Sequence, residues 1–224
     1  MRLSLPAAGA LAALSFFFAQ HLQAQSLSFG VKAGVPATDA IKGSFGNHAE
    51  APRYTVGPMF ELGLPLSFGV EVDALYRRTG YSTSNEAFGI TNLTRVRANS
   101  WEFPILLKYY LPGVPLLRPY VSGGYVGRRL FSVSGQSHTF GRDPVTGAVI
   151  DQTLKLDTSF LVRDNPTHGV AIGGGVRLRL GPLKLAPEVR YTYWTGRPFD
   201  EFGSRGFFVQ SPENQVDFLV GLTF

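Results

Sequence analysis

From Leu27 onward the sequence changes character at every second residue. That period builds strands with one apolar face and does not suit an amphipathic helix. In LSFGVKAGV, Leu27, Phe29, Val31, Ala33 and Val35 share one face, with Ser28, Gly30, Lys32 and Gly34 on the other. YTVGPMFELGL sets Val56, Phe60 and Leu62 against Thr55, Met59 and Glu61. FGVEVDALYR sets Phe68, Val70, Val72 and Tyr76 against Glu71, Asp73 and Arg77. SWEFPILLKYY sets Trp101, Phe103, Ile105, Leu107 and Tyr109 against Glu102, Leu106, Lys108 and Tyr110. The pattern continues through RPYVSGGYVGRRLF, GVAIGGGVRLRL and LKLAPEVRYTYW and ends in ENQVDFLVGLTF. Eight strands are predicted.

Each segment spans roughly ten residues, the length of a tilted strand crossing a bilayer. The connections alternate in length. Long ones are predicted at 36–53, 80–98, 134–168 and 196–213, and short ones at 64–67, 111–118 and 181–183, where Pro65, Pro112, Pro115 and Pro182 mark turns. Part of 134–160 is expected to extend its strands as a hairpin. Short turns at one end and long loops at the other describe an all-β, eight-stranded antiparallel up-and-down transmembrane barrel. The even strand number returns both termini to the end with the short turns.

Residues 1–24 are read as a signal peptide: Arg2, an apolar run from Ala7 to Ala19, then a polar stretch ending at Ala24. That run is too short for a spanning helix. The expected mature domain is 25–224. The chain has no cysteine, which excludes disulfides, thiolate metal sites and a cysteine nucleophile. Its net charge of +5 comes from scattered residues rather than a basic run or helix, so nucleic acid is not an expected partner.

Within the predicted strands the charged residues fall on the face with the small residues. They are Lys32, Glu61, Glu71, Asp73, Arg77, Glu102, Lys108, Arg128, Arg177, Arg179, Lys184, Glu188, Arg190 and Asp217. In an eight-stranded barrel that face is the interior, barely wide enough for side chains. Charges held there must pair, because an isolated one is too costly to desolvate. The near balance of signs predicts a plugged interior, with Gly124, Gly173 and Gly175 leaving space for long Arg and Lys side chains.

RPYVSGGY (Arg118 to Tyr125), Gly169 to Trp194 and the closing VDFLVGLTF resemble the outer-membrane beta-barrel domain families of Gram-negative bacteria, near the small OmpA/OmpX-like barrels. The resemblance covers Gln25 to Phe224. It implies residence in the bacterial outer membrane, contact with outer-membrane lipid and lipopolysaccharide, and a monomeric state. It also implies handling by the barrel-assembly machinery, with Phe218, Leu222 and Phe224 as the assembly signal.

Chemistry is hard to place in this sequence. His48, His138 and His168 are far apart and without metal-ligand spacing, and no cofactor is expected. The Gly173–Gly175 pair precedes a strand, not the helix that phosphate binding would need. Lipid A deacylases of this architecture carry a His-x-Ser pair on a late strand, whereas EVRYTYWTG has neither residue. A protease site at Asp200, Glu201 and His168 has no supporting motif. Arg129, Arg142, Arg163, Arg197 and Arg205 are candidates to meet lipopolysaccharide phosphates. The leading reading is a non-enzymatic barrel with a structural or surface-interaction role. The alternatives are a small pore or transport protein, a lipid A-modifying enzyme and a soluble periplasmic barrel.

Overall fold

The computed structural model describes residues 26–38, 42–43, 47–49, 53–114, 116–156, 165–196, 200–202, 208–210 and 212–224. The signal peptide expected at 1–24 lies outside them. In chain order the strands are β1 (Leu27–Pro36), β2 (Lys42–Gly43), β3 (Asn47–Ala49), β4 (Tyr54–Gly63), β5 (Phe68–Asp73), β6 (Leu75–Ala87) and β7 (Ile90–Tyr110). They continue as β8 (Leu117–Arg142), β9 (Val149–Leu156), β10 (Thr167–Leu180), β11 (Leu183–Trp194), β12 (Asp200–Phe202), β13 (Phe208–Gln210) and β14 (Asn214–Thr223).

Antiparallel pairing runs from β1 to β4, from β4 to β5 and β6, and from these to β7. It continues through β8, β10, β11 and β14, and β14 returns to β1 with Val31 opposite Leu222. This is a closed eight-stranded up-and-down barrel, in which β5 and β6 together form one wall strand. The register passes unbroken from Met59↔Asp73 to Val56↔Tyr76. The interruption falls at Ala74, which donates its N–H to Pro58 O at 3.0 Å. Pro58 has no N–H to return. Closure leaves the barrel wall without a free edge.

The two faces are inverted relative to a soluble barrel. Phe29, Phe60, Ile105, Ile172 and Phe218 are exposed on the outside, Ile172 to 64%. Lys32, Glu71, Lys108, Glu188 and Arg190 are buried inside. An outer belt of rings surrounds Tyr76, which contacts Tyr54, Trp101 and Phe131 with centroids 5.8–6.0 Å apart.

One end carries the tight connections 64–67, 111–116 and 181–182, together with Ser26 and Phe224. The other end differs from expectation at 80–98, which is not a loop. β6 continues to Ala87, turns at Phe88 and Gly89, and β7 begins at Ile90. Both turn residues have positive φ, 53° and 74°, the two-residue geometry whose twist matches a hairpin. β8 likewise runs on to Arg142 and pairs with β9, the expected extension of 134–160. One side of the wall therefore grows past the barrel rim as a sheet in the order β3-β6-β7-β8-β9. A bulge between Asn99 and Ser100 lies near the rim, where barrel wall gives way to an extended sheet whose inner face stays covered at Thr94, Val96 and Ala98.

Candidate functional site

Strand alternation sends every second side chain inward, and the long polar ones meet in three tiers along the barrel axis. Nearest the short turns, Glu61 accepts from Tyr110 Oη at 2.8 Å, faces Lys108 Nζ at 3.3 Å and pairs with Arg177. The Arg177 guanidinium also lies 4.2 Å from the Tyr110 ring centroid.

The middle tier gathers three carboxylates from two sides of the barrel. Arg190 donates to Glu188 at 2.7 Å, Glu71 at 3.0 Å and Asp73 at 3.3 Å. Lys32 reaches Glu188 at 3.1 Å and Asp73 at 3.4 Å and pairs closely with Glu71. Lys108 also pairs with Glu71, linking this tier to the first. Tyr120 Oη donates to Glu188 at 3.1 Å.

In the third tier Arg77 bridges Glu102 at 2.8 Å and Asp217 at 2.7 Å. Arg128 holds Glu102 from the other side at 2.8 Å and stacks 3.7 Å above the Trp194 ring. Trp194 donates its indole N–H to Gln215, which donates in turn to Asp217 at 2.7 Å. Leu106, Val126 and Ala171 pack with Trp194 and fill one side of this level.

The three tiers hold six cations, Lys32, Arg77, Lys108, Arg128, Arg177 and Arg190, against six carboxylates, Glu61, Glu71, Asp73, Glu102, Glu188 and Asp217. The interior is formally neutral. Each ion has a partner of opposite sign within reach, which buried charges need to offset desolvation.

A family profile for the outer membrane protein beta-barrel domain matches residues 9–207. The chain belongs to that family. It is a bacterial outer-membrane β-barrel protein, and its short-turn end faces the periplasm. Among solved structures it is similar to Neisserial surface protein A, at 13% identity over 89% of this chain and 97% of that one, with a TM-score of 0.42. It is also similar to the outer membrane protein OprG from Pseudomonas aeruginosa, at 15% identity over 89% and 93% of the two chains, with a TM-score of 0.46. The attachment invasion locus protein of Yersinia pestis is similar at 11% identity over 89% and 97%, with a TM-score of 0.33. No curated protein matches the chain.

Twelve of the fourteen interior positions named from sequence come together in the tiers; Lys184, which bonds to Ser28 on its own, and Arg179 do not. Arg179 is exposed at the periplasmic mouth, where β10 still pairs with β11 through Lys184 but no further tier covers it. The reading of the glycines also needs correcting. A Cβ on Gly173 would sit 3.1 Å from Glu188 Oε1, and one on Gly175 would sit 2.7 Å from Tyr120 Oη. The side chains nearest that space are Ser122 and Glu188 at Gly173 and Tyr120 at Gly175, rather than Arg or Lys. Tyr110 and Gln215 fall on the inward face by their spacing, whereas Tyr120 and Trp194 escape sequence reasoning as interior partners because an aromatic carries no charge signal.

Phe218, Leu222 and Phe224 share the lipid-facing side, and the Phe224 ring lies 6.0 Å from that of Phe29. His168 faces outward beside the Tyr125 hydroxyl, and His138 pairs with Asp151 at 2.8 Å on the outer sheet. The side chains of His48, Asp200 and Glu201 lie outside the described residues, as do Arg163, Arg197 and Arg205 entirely. Arg142 is at the hairpin tip. Arg129 is opposite Trp101 on the outer face at the rim. Three further cations share that face: Arg78 opposite Asn99, then Arg97 and Arg95 higher on β7, the last two within the segment expected to be a loop.

Proposed function

We propose that this protein is a closed, non-enzymatic, monomeric barrel that works through its outward surface rather than by passing solutes. The balanced ion-pair filling of the interior supports this reading. Conduction would require separating several buried pairs at once, each costly to break. In planar bilayers the purified protein is expected to give no steady unitary current. Large, sustained conductance would favour the pore reading instead.

The outward cations give the surface role its chemistry. Arg78, Arg95 and Arg97 sit above Tyr76 and Trp101, and Arg129 is level with Trp101, just below Phe131. Aromatic belts mark the membrane interface, so these cations lie at headgroup level of the outer leaflet. Guanidinium groups there match the phosphates of lipopolysaccharide through charge-assisted, bidentate hydrogen bonds. An Arg95→Gln/Arg97→Gln variant is expected to retain severalfold less lipopolysaccharide through detergent purification. Retention equal to the parent protein would remove this contact from the proposal. The assembly machinery is the second proposed partner, reading the lipid-facing row of Phe218, Leu222 and Phe224. Export with removal of residues 1–24 is part of the same proposal.

A further inference from the structure

The periplasmic mouth breaks the rule that governs the rest of the interior. On the inward face of β8, β10 and β11, Arg118 is directly opposite Arg177, and Arg179 is directly opposite Lys184. Like charges directly opposed across strands are destabilising, and here two such pairs lie two residues apart on one face. Arg177 is balanced by Glu61. The side-chain hydrogen-bond partners of the others are neutral: Arg118 donates to Ser67 Oγ at 3.4 Å and Lys184 to Ser28 Oγ at 2.7 Å, while Arg179 is exposed. Lys184 lies within the electrostatic reach of Arg177, Glu61 and Arg179. Among the described residues the nearby side-chain carboxylate is Glu61, already held by Arg177 and Lys108, while the Phe224 carboxylate follows Thr223, which is opposite Lys184. Three neutral tiers thus end in a mouth where cations outnumber acids. Local rules are broken in this way where a site serves something other than stability.

We propose that this mouth docks an acidic polypeptide segment from the periplasm, whose carboxylates pair with Arg118, Arg179 and Lys184. The cations face the barrel axis rather than the lipid, so inner-leaflet headgroups around the perimeter are poorly placed to reach them. Neighbouring strands are about 4.8 Å apart and residues two apart on a strand about 6.7 Å, so the three charges call for closely spaced carboxylates on one ligand. Val114 and Leu116 project from the adjoining turn, 61% and 67% exposed. That apolar rim beside a basic centre suits a polypeptide better than a free anion.

The test uses the full chain folded in zwitterionic detergent and a fluorescein-labelled peptide of alternating Glu and Ala, read by anisotropy at low ionic strength. Saturable binding is expected, lost at high salt. Arg179→Gln/Lys184→Gln is expected to weaken it about tenfold, the sum of two rim ion pairs. Arg95→Gln/Arg97→Gln, at the opposite end, is expected to leave it unchanged. Heat-dependent gel mobility verifies that each variant is folded. Absence of saturable binding to the parent protein, or equal affinity in both variants, overturns the proposal. Displacement of the peptide by millimolar inorganic phosphate also overturns it, in favour of a small-anion site.

Discussion

Replacing Arg190 with Met is expected to lower the unfolding free energy of the barrel by about 3–5 kcal/mol, the cost of breaking a buried ion pair from one side. Arg190 donates to Glu188, Glu71 and Asp73 and is itself buried. Without it, Lys32 remains as the cation bonding to all three carboxylates, and an interior of six cations and six acids becomes five and six. Urea titration of the folded protein in lipid vesicles reads the loss as a shift in midpoint. Adding Glu188→Gln removes one of the acids left in excess, so the double variant is expected to recover part of the loss. The coupling between the two sites is the quantity that identifies the pair. An Arg190→Met midpoint equal to the parent's would mean that the interior is hydrated enough for these pairs to count for little.

The second large effect lies on the opposite face. Ile172 is 64% exposed and belongs to the apolar band that surrounds the wall. In water an exposed isoleucine is readily replaced by arginine; at mid-bilayer the same change costs about 2–4 kcal/mol. Ile172→Arg is therefore expected to lower both vesicle stability and the outer-membrane yield of heat-modifiable protein. Phe224→Ala, read by the same yield, probes the proposed assembly signal. The Phe224 N–H donates to Phe29 O at 3.1 Å where the last strand meets the first, so its ring sits at the seam that closes the barrel. Yields equal to the parent for both variants would contradict a lipid-facing role for this surface.

The strand cores were legible because an inward charge alternating with an outward apolar residue is visible without knowing the partner strand. Glu71 and Asp73 flank Val72, Arg177 and Arg179 flank Leu178, and Glu188 and Arg190 flank Val189. The same local signal fails where the outward face turns polar: Arg95 and Arg97 alternate with buried Thr94, Val96 and Ala98. Residues 80–98 were read as a loop because Ser82, Ser84, Asn85 and Glu86 show no apolar alternation, although β6 pairs residue by residue with β7 throughout. Arg179 exposes the matching weakness at the other end: its parity is inward, but parity does not say how far the barrel extends.

Sequence alone determined the period, the number of wall strands, the end at which the termini meet and the polarity of each face, because all four are properties of neighbouring residues. Only the tertiary structure decided which charges meet. Arg190 and Asp73 are 117 positions apart, as Arg177 and Glu61 are 116. Their pairing depends on the stagger with which the closed sheet brings distant strands across the same interior, and that stagger is set collectively when the last strand closes on the first. The excess of periplasmic cations emerged for the same reason: charge excess at one end of a barrel is visible only once every acid has been assigned its partner.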